Sequence, residues 1–266
     1  MNNPGYDTLR VFEGIDNYDE KLVAFVDVMG VTNRMRNSLK PHELQMFSLI
    51  MHAHAYQPFA QGKISIVSFS DCMYLITDGQ YYKELICLLS NFSYTLLVNR
   101  EVNTVGRKDG GFEEKVLWDC LKLRGGITYG KVLTLDDIAE KRNVATRFNM
   151  VIGPAAINAY ELESKKALYP RIIVDDAFGD YIKNAGITYD ECFMVRDNMD
   201  DYYYLDFWNY MFHGTKGPVD FLNGCIQFVK KEIEEANSNK DERLIRKLSW
   251  YLKYLKRHQD YRGSNP

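Results

Sequence analysis

The segment KLVAFVDVMG, residues 21–30, decides the fold, because its apolar run with β-branched members ends in an acidic residue and a Met-Gly break. Such a run is typical of a buried strand. Two further strand-like runs, at 64–69 and 72–77, are separated only by Ser70 and Asp71. This spacing predicts a β-hairpin. Helical patterns at 41–56 and 82–99 alternate with the strands and favour an α/β or α+β fold over a sandwich or a bundle.

The remainder of the chain continues this alternation. We expect a mobile loop at 100–115. The elements after it are strands at 121–128 and 149–152, a turn at Tyr129-Gly130 before the short run KVLTL, a helix at 153–165, a strand at 169–174 and a helix capped by Asp175-Asp176. Paired strands at 192–196 and 202–207 follow, and two helices close the chain.

The last helix, residues 241–258, has two contrasting faces. One face is apolar and contains Leu244, Leu248, Tyr251, Leu252 and Leu255. The others are basic and contain Arg243, Arg246, Lys247, Lys253, Lys256 and Arg257. The pattern predicts an amphipathic helix packed on the core. The alternative is a basic surface that faces a phosphate or a partner.

Composition excludes some classes of function. The chain has 266 residues, and its 33 Lys and Arg against 36 Asp and Glu give a net charge of −3. This balance disfavours a generic DNA or RNA binder. The N-terminal MNNPGYDTLR has neither the basic start nor the apolar run of a secretory signal, and no stretch reads as a membrane span, so we expect a cytoplasmic protein.

The cysteines and histidines form no zinc-site spacing. No CxxC pair is present, and the five histidines match no HExxH pattern. The five cysteines are odd in number, widely spaced and set among apolar residues, which predicts buried free thiols.

Two acidic residues interrupt apolar strands, where an unpartnered charge is costly. Asp27 ends the first strand, and Asp71 lies at the hairpin tip. If these strands are adjacent, both carboxylates meet at one end of the sheet and a pair of divalent cations would bridge them. Such a site suits phosphoryl or nucleotidyl transfer, with the amides of Gly30, Val31 and Thr32 receiving phosphate oxygens. The competing interpretations are a helix cap for Asp27 and an Asx turn for Asp71.

Four motifs in order resemble the class III nucleotide cyclases over most of residues 21–175. AFVDVMGVT resembles the first metal strand of that family and SFSDCMYLI the hairpin with its second metal aspartate. LRGGITYGKV resembles a later strand and turn, and VIGPAAINAYELES a helix that begins at glycine. The segments GPAAINAYELES, ALYPRIIVD and MVRDNMDDYYYLDF are similar to the bacterial anti-phage Pycsar cyclases, which make cyclic UMP or cyclic CMP.

The resemblance implies an architecture. It predicts an α+β class III cyclase fold with a ferredoxin-like βαββαβ core as a catalytic domain at 21–210. A lead-in at 1–20 precedes this domain, and a helical extension at 211–266 follows it. It also implies a cytoplasmic homodimer whose active sites lie at the subunit interface.

The chain departs from the family pattern at four positions. Ile157 and Glu161 stand where the family has its ribose-binding Asn and its transition-state Arg. Val67 and Met150 stand where adenine is read by a Lys and an acid. An ordinary adenylate cyclase is therefore disfavoured, since adenine's polar edge would have no partner.

The resemblance also implies residue roles. Asp27 and Asp71 would be metal carboxylates, and Val28 would bind metal through its carbonyl, with two Mn²⁺ or Mg²⁺ ions per site. The residues that would line the triphosphate and the sugar are Phe25, Met29, Gly30, Val31 and Thr32.

The positive charge that Glu161 cannot supply needs another source. Arg124 and Arg171 are the candidates, with Lys165 or Lys166 behind them. Arg171 has an alternative role, an ion pair with Glu161 or Glu163.

The activity that follows is cyclisation of a pyrimidine nucleoside triphosphate with release of pyrophosphate. UTP is marginally favoured over CTP, and the product would act on a separate effector in anti-phage defence. Two alternatives stay open. One is another metal-dependent nucleotidyl enzyme such as a cyclic-dinucleotide synthase, although SFSDCM lacks the GG[DE]EF hairpin expected there. The other is a non-catalytic relative that binds a nucleotide in the same cleft.

Overall fold

A sheet centred on the first strand organises the structure. The computed structural model describes residues 18–30, 62–69, 71–98, 102–106, 112–116, 121–134, 150–213 and 219–260. The strands in these ranges are β1 (Asp19–Val28), β2 (Ile64–Phe69), β3 (Cys72–Thr77), β4 (Val102–Gly106), β5 (Phe112–Val116), β6 (Leu123–Thr134), β7 (Val151–Ile152), β8 (Ile172–Val174), β9 (Met194–Arg196) and β10 (Tyr203–Leu205).

Helices pack on this sheet. They are α1 (Tyr82–Val98), α2 (Pro154–Glu161), α3 (Asp176–Asn184), α4 (Phe207–Phe212), α5 (Val219–Ser238) and α6 (Glu242–Asp260). A 3₁₀ turn at Gly79–Tyr81 precedes α1, and a π-helical turn at Leu162–Lys166 continues α2. As the sequence predicts, Asp175 caps α3, accepting a hydrogen bond from the Phe178 amide.

The strand order confirms the α+β class. The described strands pair in the order β2-β3-β1-β6-β8-β10-β9, with β7 beside β6. β1 is antiparallel to both β3 and β6, whereas β6 and β8 are parallel. The order β2-β3-β1-β6, antiparallel throughout, is that of a ferredoxin-like βαββαβ unit. The predicted helix at 41–56 lies outside the described residues.

The predicted β2–β3 hairpin is confirmed with its boundaries, and Phe69 lies opposite Cys72. The predicted loop at 100–115 is wrong in part. β4 and β5 form a separate antiparallel pair there, with Val102 opposite Val116. The mixed charges and glycines of this stretch obscured the two short runs, whose backbone groups satisfy one another across the ladder.

β6 is one continuous strand, so the predicted turn at Tyr129-Gly130 is wrong. β1 begins at Asp19, before the predicted start, and its first residues pair with the second half of β6: Lys21 lies opposite Gly130 and Asp19 opposite Val132. This extra pairing keeps β6 extended through the glycine. β8 is shorter than the predicted strand at 169–174, because the Arg171 amide bonds the nearby Tyr169 carbonyl instead of continuing the ladder.

Successive side chains of β1 enter two different cores. One face, which includes Leu22 and Val26, packs with α1 and the C-terminal helices. The opposite face, which includes Val23 and Phe25, packs with the alanines of α2. Asp27 continues this second face, because side chains alternate along a strand. The charge therefore lies on the side of the sheet that α2 covers.

The C-terminal helices share the larger core. Leu222 and Val229 of α5 and Leu248 and Leu255 of α6 are buried in the same cluster as β1 and α1. The prediction that the last helix packs on the core is confirmed. Its predicted apolar face is wrong at Leu244, which is 38% exposed.

Lys122, just before β6, ties α5 to the sheet. Its ammonium lies 2.5 Å from the Glu232 carboxylate of α5.

The described thiols are free, as predicted, but not all are buried. Cys192 and Cys225 are buried, whereas Cys72 and Cys87 are partly exposed. Cys120 lies outside the described residues. No described helix is long and apolar enough to span a membrane.

Candidate functional site

Asp27 and Asp71 lie together at one end of the sheet. Asp27 is paired with Cys72 in the β1–β3 register, and Asp71 immediately precedes Cys72 at the hairpin tip. The Val28 amide donates a 3.1 Å hydrogen bond to the Asp71 carbonyl, which fixes the tip against the end of β1. One ligand atom each from Asp27, Asp71 and Cys72 lies within 4.8 Å of the others. The structure thus brings the two carboxylates together, as the strand pattern predicts.

A tight turn follows Asp27. The Met29 amide donates a 2.9 Å hydrogen bond to the Lys122 carbonyl. Gly30 has φ +89°, a conformation that glycine adopts without strain and that most other residues avoid. β1 therefore ends at Val28, one residue after Asp27. Val31 and Thr32, which were predicted to line the triphosphate, lie outside the described residues.

Arg124 is the predicted cation that the structure brings to the acids. It lies on β6 opposite Asp27, and its Nη2 is 3.3 Å from Asp27 Oδ2. The same nitrogen forms an ion pair with Glu163. Glu163 is 4% exposed and was considered in the sequence only as a partner for Arg171. Arg124 thus bridges a carboxylate at the sheet end and a carboxylate buried beneath α2.

Close packing of α2 on β6 places Glu163. A Cβ atom at Gly126 would lie 2.3 Å from Leu162 Cβ and 3.0 Å from the Ala159 carbonyl oxygen. Only glycine permits this approach, since real Cβ contacts are not that short. The approach brings the π-helical turn that carries Glu163 onto the strand that carries Arg124.

Burial favours the neutral forms of Asp27 and Glu163. Burial raises the pKa of Asp27, opposed by Arg124 and reinforced by Asp71. Burial likewise raises the pKa of Glu163, with Arg124 opposing it. Burial and the two neighbouring aspartates raise the pKa of the Cys72 thiol, so its sulfur is protonated near neutral pH. The cluster has more negative groups than Arg124 alone can balance.

Lys247 of α6 adds positive charge to this cluster. Its side chain is half-buried. Burial lowers the pKa of Lys247, as does repulsion from Arg124 and Arg243, whereas Asp27 and Glu163 raise it. From the sequence, Lys247 is only one of several basic residues on the last helix. Nothing in the sequence of α6 indicates that this one side chain is influenced by Asp27 and Glu163.

Arg171 lies in a different cluster from the one that was predicted. Its guanidinium forms ion pairs with Asp197 and Asp200 rather than with Glu161 or Glu163. Its side chain is 1% exposed, and its guanidinium lies 5.2 Å from the Trp250 ring. The structure therefore does not bring Arg171 to Asp27 and Asp71.

The other two predicted cations lie on the surface. Lys165 is exposed and bonds Glu161 over 2.5 Å, and Lys166 is also exposed. Their roles in the reaction stay predictions.

An aromatic patch adjoins the site on the α2 side of the sheet. Phe25 is 2% exposed and packs against Tyr74 and Tyr160, with ring centroids 4.7 and 5.4 Å away. Tyr160 and Phe69 are each 49% exposed. Phe25 is thus the buried base of a partly exposed apolar surface, and its contact with a nucleotide stays a prediction.

The donor set fits a hard divalent cation. Carboxylate and backbone oxygens are the ligands that Mg²⁺ and Mn²⁺ prefer, and Asp27 and Asp71 supply two carboxylates at one point. Ionising both costs energy because they repel each other and Asp27 is largely buried. A bound cation would relieve this cost, so the local electrostatics agree with the ligand chemistry.

Comparisons with known proteins give distant similarities only. No family model matches the chain, and no curated protein matches its sequence. Among solved structures, the monomeric guanylyl cyclase domain of the RhoGC fusion protein from the aquatic fungus Blastocladiella emersonii is 14% identical, with a TM-score of 0.46 covering 71% of this chain and 94% of that chain.

Two further nucleotide cyclases are similar at the same level of identity. The guanylate cyclase domain of RhGC from Catenaria anguillulae in complex with GTP is 14% identical, with a TM-score of 0.42 covering 63% of this chain and 84% of that chain. The adenylyl cyclase CyaB from P. aeruginosa is 14% identical, with a TM-score of 0.40 covering 70% and 92%. Similarities of this degree assign neither a substrate nor a mechanism to the present chain.

Proposed function

We propose that the protein is a metal-dependent nucleotide cyclase that converts UTP into 3′,5′-cyclic UMP and pyrophosphate, with CTP as the alternative substrate. The observation that carries this proposal is the meeting of Asp27 and Asp71 at the end of the β1–β3 pair. The motif resemblance over residues 21–175 supports the choice of reaction. The pyrimidine base and the anti-phage role rest only on the similarity of GPAAINAYELES, ALYPRIIVD and MVRDNMDDYYYLDF to the Pycsar cyclases.

The two aspartates would hold the ions together with the Val28 carbonyl. Two divalent cations at this point would lower the pKa of the ribose 3′-hydroxyl and neutralise the charge of the leaving pyrophosphate. In the reaction the 3′-oxygen forms a bond to the α-phosphorus, the bond from that phosphorus to the β-phosphate oxygen breaks, and the hydroxyl proton leaves to solvent. The Gly30 amide would receive a phosphate oxygen, with the amides of Val31 and Thr32 beyond it, because the Met29 amide is already bonded to the Lys122 carbonyl.

Arg124 and Lys247 are the cations we assign to the α-phosphate. Arg124 Nη2 lies 3.3 Å from Asp27 Oδ2. The charges of Arg124 and Asp27 both act on the pKa of Lys247, the first lowering it and the second raising it. They would replace the positive charge that Glu161 cannot provide, because charge that develops on the phosphoryl group is stabilised by fixed cations. Glu163 would orient Arg124, because the guanidinium nitrogen that contacts Asp27 also forms an ion pair with Glu163.

The exposed aromatic patch supports an interface in the working enzyme. Phe69 and Tyr160 adjoin the site, and Ile157 on the same helix as Tyr160 is 61% exposed. Exposed apolar groups of this size at a site are typical of a binding surface. We propose that a second copy of the chain covers the patch and completes the nucleotide pocket, in a cytoplasmic homodimer whose cyclic product acts on a separate effector.

The direct test is a product assay with the full-length protein. Purified protein is incubated with Mn²⁺ and each of the four ribonucleoside triphosphates, and the products are separated by chromatography and identified by mass. Cyclic UMP or cyclic CMP is the expected product. Linear or cyclic dinucleotides would favour a nucleotidyltransferase. Binding of a nucleotide without any product would favour a non-catalytic relative.

Two substitutions connect the activity to the proposed site. Asp27→Asn and Asp71→Asn should each abolish turnover, whereas Asp78→Asn at the other end of β3 should not. Asp78 is an apt control because its carboxylate is 55% exposed and pairs with Lys21. Full activity in either of the first two variants would refute the metal assignment.

A further inference from the structure

A groove between the β9–β10 hairpin and α6 has no part in the proposed reaction. It encloses about 720 Å³, which is within the range of about 300–1,000 Å³ that small-molecule sites occupy. Its lining contains none of the acids at the end of β1. The lining residues are Arg196, Asp197, Asn198, Met199, Tyr204, Ser249, Trp250, Leu252, Lys253, Tyr254, Lys256 and Arg257.

Cations converge on this groove from two elements. Arg196 comes from β9, and Lys253, Lys256 and Arg257 come from α6. The three α6 residues are spaced i, i+3 and i+4, so they share one face of the helix, where like charges destabilise the helix. Asp206 offsets the charge of Arg257, and a bound anion would offset the repulsion between Lys253 and Lys256.

The acidic residues nearby balance two of these four cations. Asp197 is the acidic residue in the described lining, and its carboxylate accepts from buried Arg171 and from the Trp250 indole. Arg257 bonds Asp206 and Tyr204, and Arg196 lies 3.2 Å from the Asp201 carboxylate. Within the described part of the chain, Lys253 and Lys256 have no carboxylate partner, and both are exposed. The two lysines are thus available to an incoming anion.

The floor of the groove is aromatic and apolar. The rings of Tyr204, Trp250 and Tyr254 pack against one another there, with centroids 5.3 to 6.1 Å apart. Leu252 is half-buried and Met199 is 56% exposed. An apolar surface beside a cationic rim suits a ligand that has both a flat ring and several negative charges.

We propose that this groove is a second ligand site, which binds an oligophosphate carried on an aromatic base, the chemical class of nucleoside di- and triphosphates. Lys253 and Lys256 contact the phosphates, and the ring lies over Met199 and Leu252. The site gives a role to Lys253 and Lys256 of the last helix, which the proposed reaction does not use. A long polyanion fits less well, because the chain has a net charge of −3 and the cations line one bounded groove.

Calorimetric titration of the full-length protein tests the proposal. EDTA is present, so that binding to a metal-dependent site is suppressed. The two probes are inorganic pyrophosphate and ADP, which separate the contribution of the phosphates from that of the ring. We expect saturable binding of both at one site per chain, with ADP binding more tightly. Equal affinities would overturn the assignment of the ring to the groove, and no saturable binding would overturn the site.

Charge-removal variants locate the binding. The double variant Lys253→Ala/Lys256→Ala should weaken ADP binding at least about tenfold, since two charge-assisted contacts are lost. A matched double variant, Lys183→Ala/Lys231→Ala, removes two exposed lysines elsewhere and should bind as the wild type does. All four positions are exposed, so folding is retained, which a thermal melt checks. Equal weakening in both double variants, or weakening in Asp27→Asn, would refute the proposed location.

Discussion

Asp27 and Cys72 face each other across β1 and β3, with the Cys72 thiol 3.4 Å from Asp27 Oδ1. Because Asp71 directly precedes Cys72, this one pairing also fixes Asp71 beside Asp27. A slip of one residue in the register would turn Asp27 to the opposite face of the sheet. The strand register, more than any loop conformation, therefore determines the candidate site.

Replacing Asp27 with Asn should abolish high-affinity Mn²⁺ binding and stabilise the metal-free protein. The substitution removes one of two partly buried carboxylates that repel each other. We expect the Tm without metal to rise by about 2–4 °C, the effect of ~1 kcal/mol for a chain of this size. Calorimetric titration with Mn²⁺ and thermal unfolding measure the two effects. Retained Mn²⁺ binding would contradict the assignment of Asp27 as a ligand.

Replacing Lys247 with Ala should lower kcat about tenfold or more and leave KM and Tm nearly unchanged. The side chain adds positive charge near Arg124 without forming part of the core. Lys247→Arg should recover most of the rate, because it keeps the charge. Steady-state kinetics of both variants, with Arg246→Ala as an exposed control on the same helix, provide the measurement. A rate loss in Arg246→Ala as large as that in Lys247→Ala would argue for a general effect of helix charge.

Replacing Gly126 with Ala should destabilise the protein by about 1–3 kcal/mol, the usual cost of overpacking. The new methyl group would collide with Leu162 Cβ and the Ala159 carbonyl. Because the same contact positions Glu163, activity should fall along with stability. Urea denaturation measures the change. Gly224→Ala on α5 is the matched control, since a Cβ atom there meets nothing within 4 Å and a helical Ala should be stabilising.

Asp206 should make stability depend on pH in the acid range. Burial raises the pKa of Asp206, but the hydrogen bond and charge of His258 and the charge of Arg257 outweigh it, so the pKa in the folded state lies below its ordinary value of 3.8. A carboxyl with a lowered pKa stabilises the fold above its unfolded pKa, and this contribution is lost as the pH falls through the folded pKa.

Replacing Asp206 with Asn should therefore cost about 1.5–3 kcal/mol at pH 7, because it removes the buried carboxylate that accepts from Arg257, while solvent screens part of the charge of this 40% exposed arginine. The difference from wild type should shrink once the pH falls below about 4. Urea denaturation at several pH values tests both statements. Asp220→Asn, at an exposed position in the first turn of α5, should show neither effect. A deficit for Asp206→Asn that stays constant into the acid range would contradict this account.

Local patterns in the sequence were enough to predict the hairpin and the meeting of Asp27 with Asp71. The hairpin follows from apolar runs and a two-residue connection, and both signals lie within one short stretch. The continuous β6 was not predictable in this way. Gly130 and its neighbours in the sequence indicate a turn. In the structure Gly130 pairs with Lys21, and this pairing depends on where β1 begins.

The ion-pair partners of Arg124 and Arg171 could not be predicted from the sequence either. For Arg171 the sequence offers a role at the α-phosphate or, as the alternative, an ion pair with Glu161 or Glu163. In the structure Arg171 pairs with Asp197 and Asp200 of a later turn. Glu163 instead joins Arg124, because Gly126 lets α2 approach β6. These pairings depend on how whole elements pack, which neither periodicity nor spacing specifies.

Lys122 connects the C-terminal helices to the proposed active site. Its carbonyl holds the Met29 amide in the turn after Asp27, and its ammonium holds Glu232 on α5. The same helices fill the core beside β1 with Leu222, Val229 and Leu255. Cutting the chain after residue 210 would therefore loosen the turn as well as expose the core. Helices α5 and α6 therefore share a core with the strand that bears Asp27, and removing them should cost the protein both its stability and the proposed turnover.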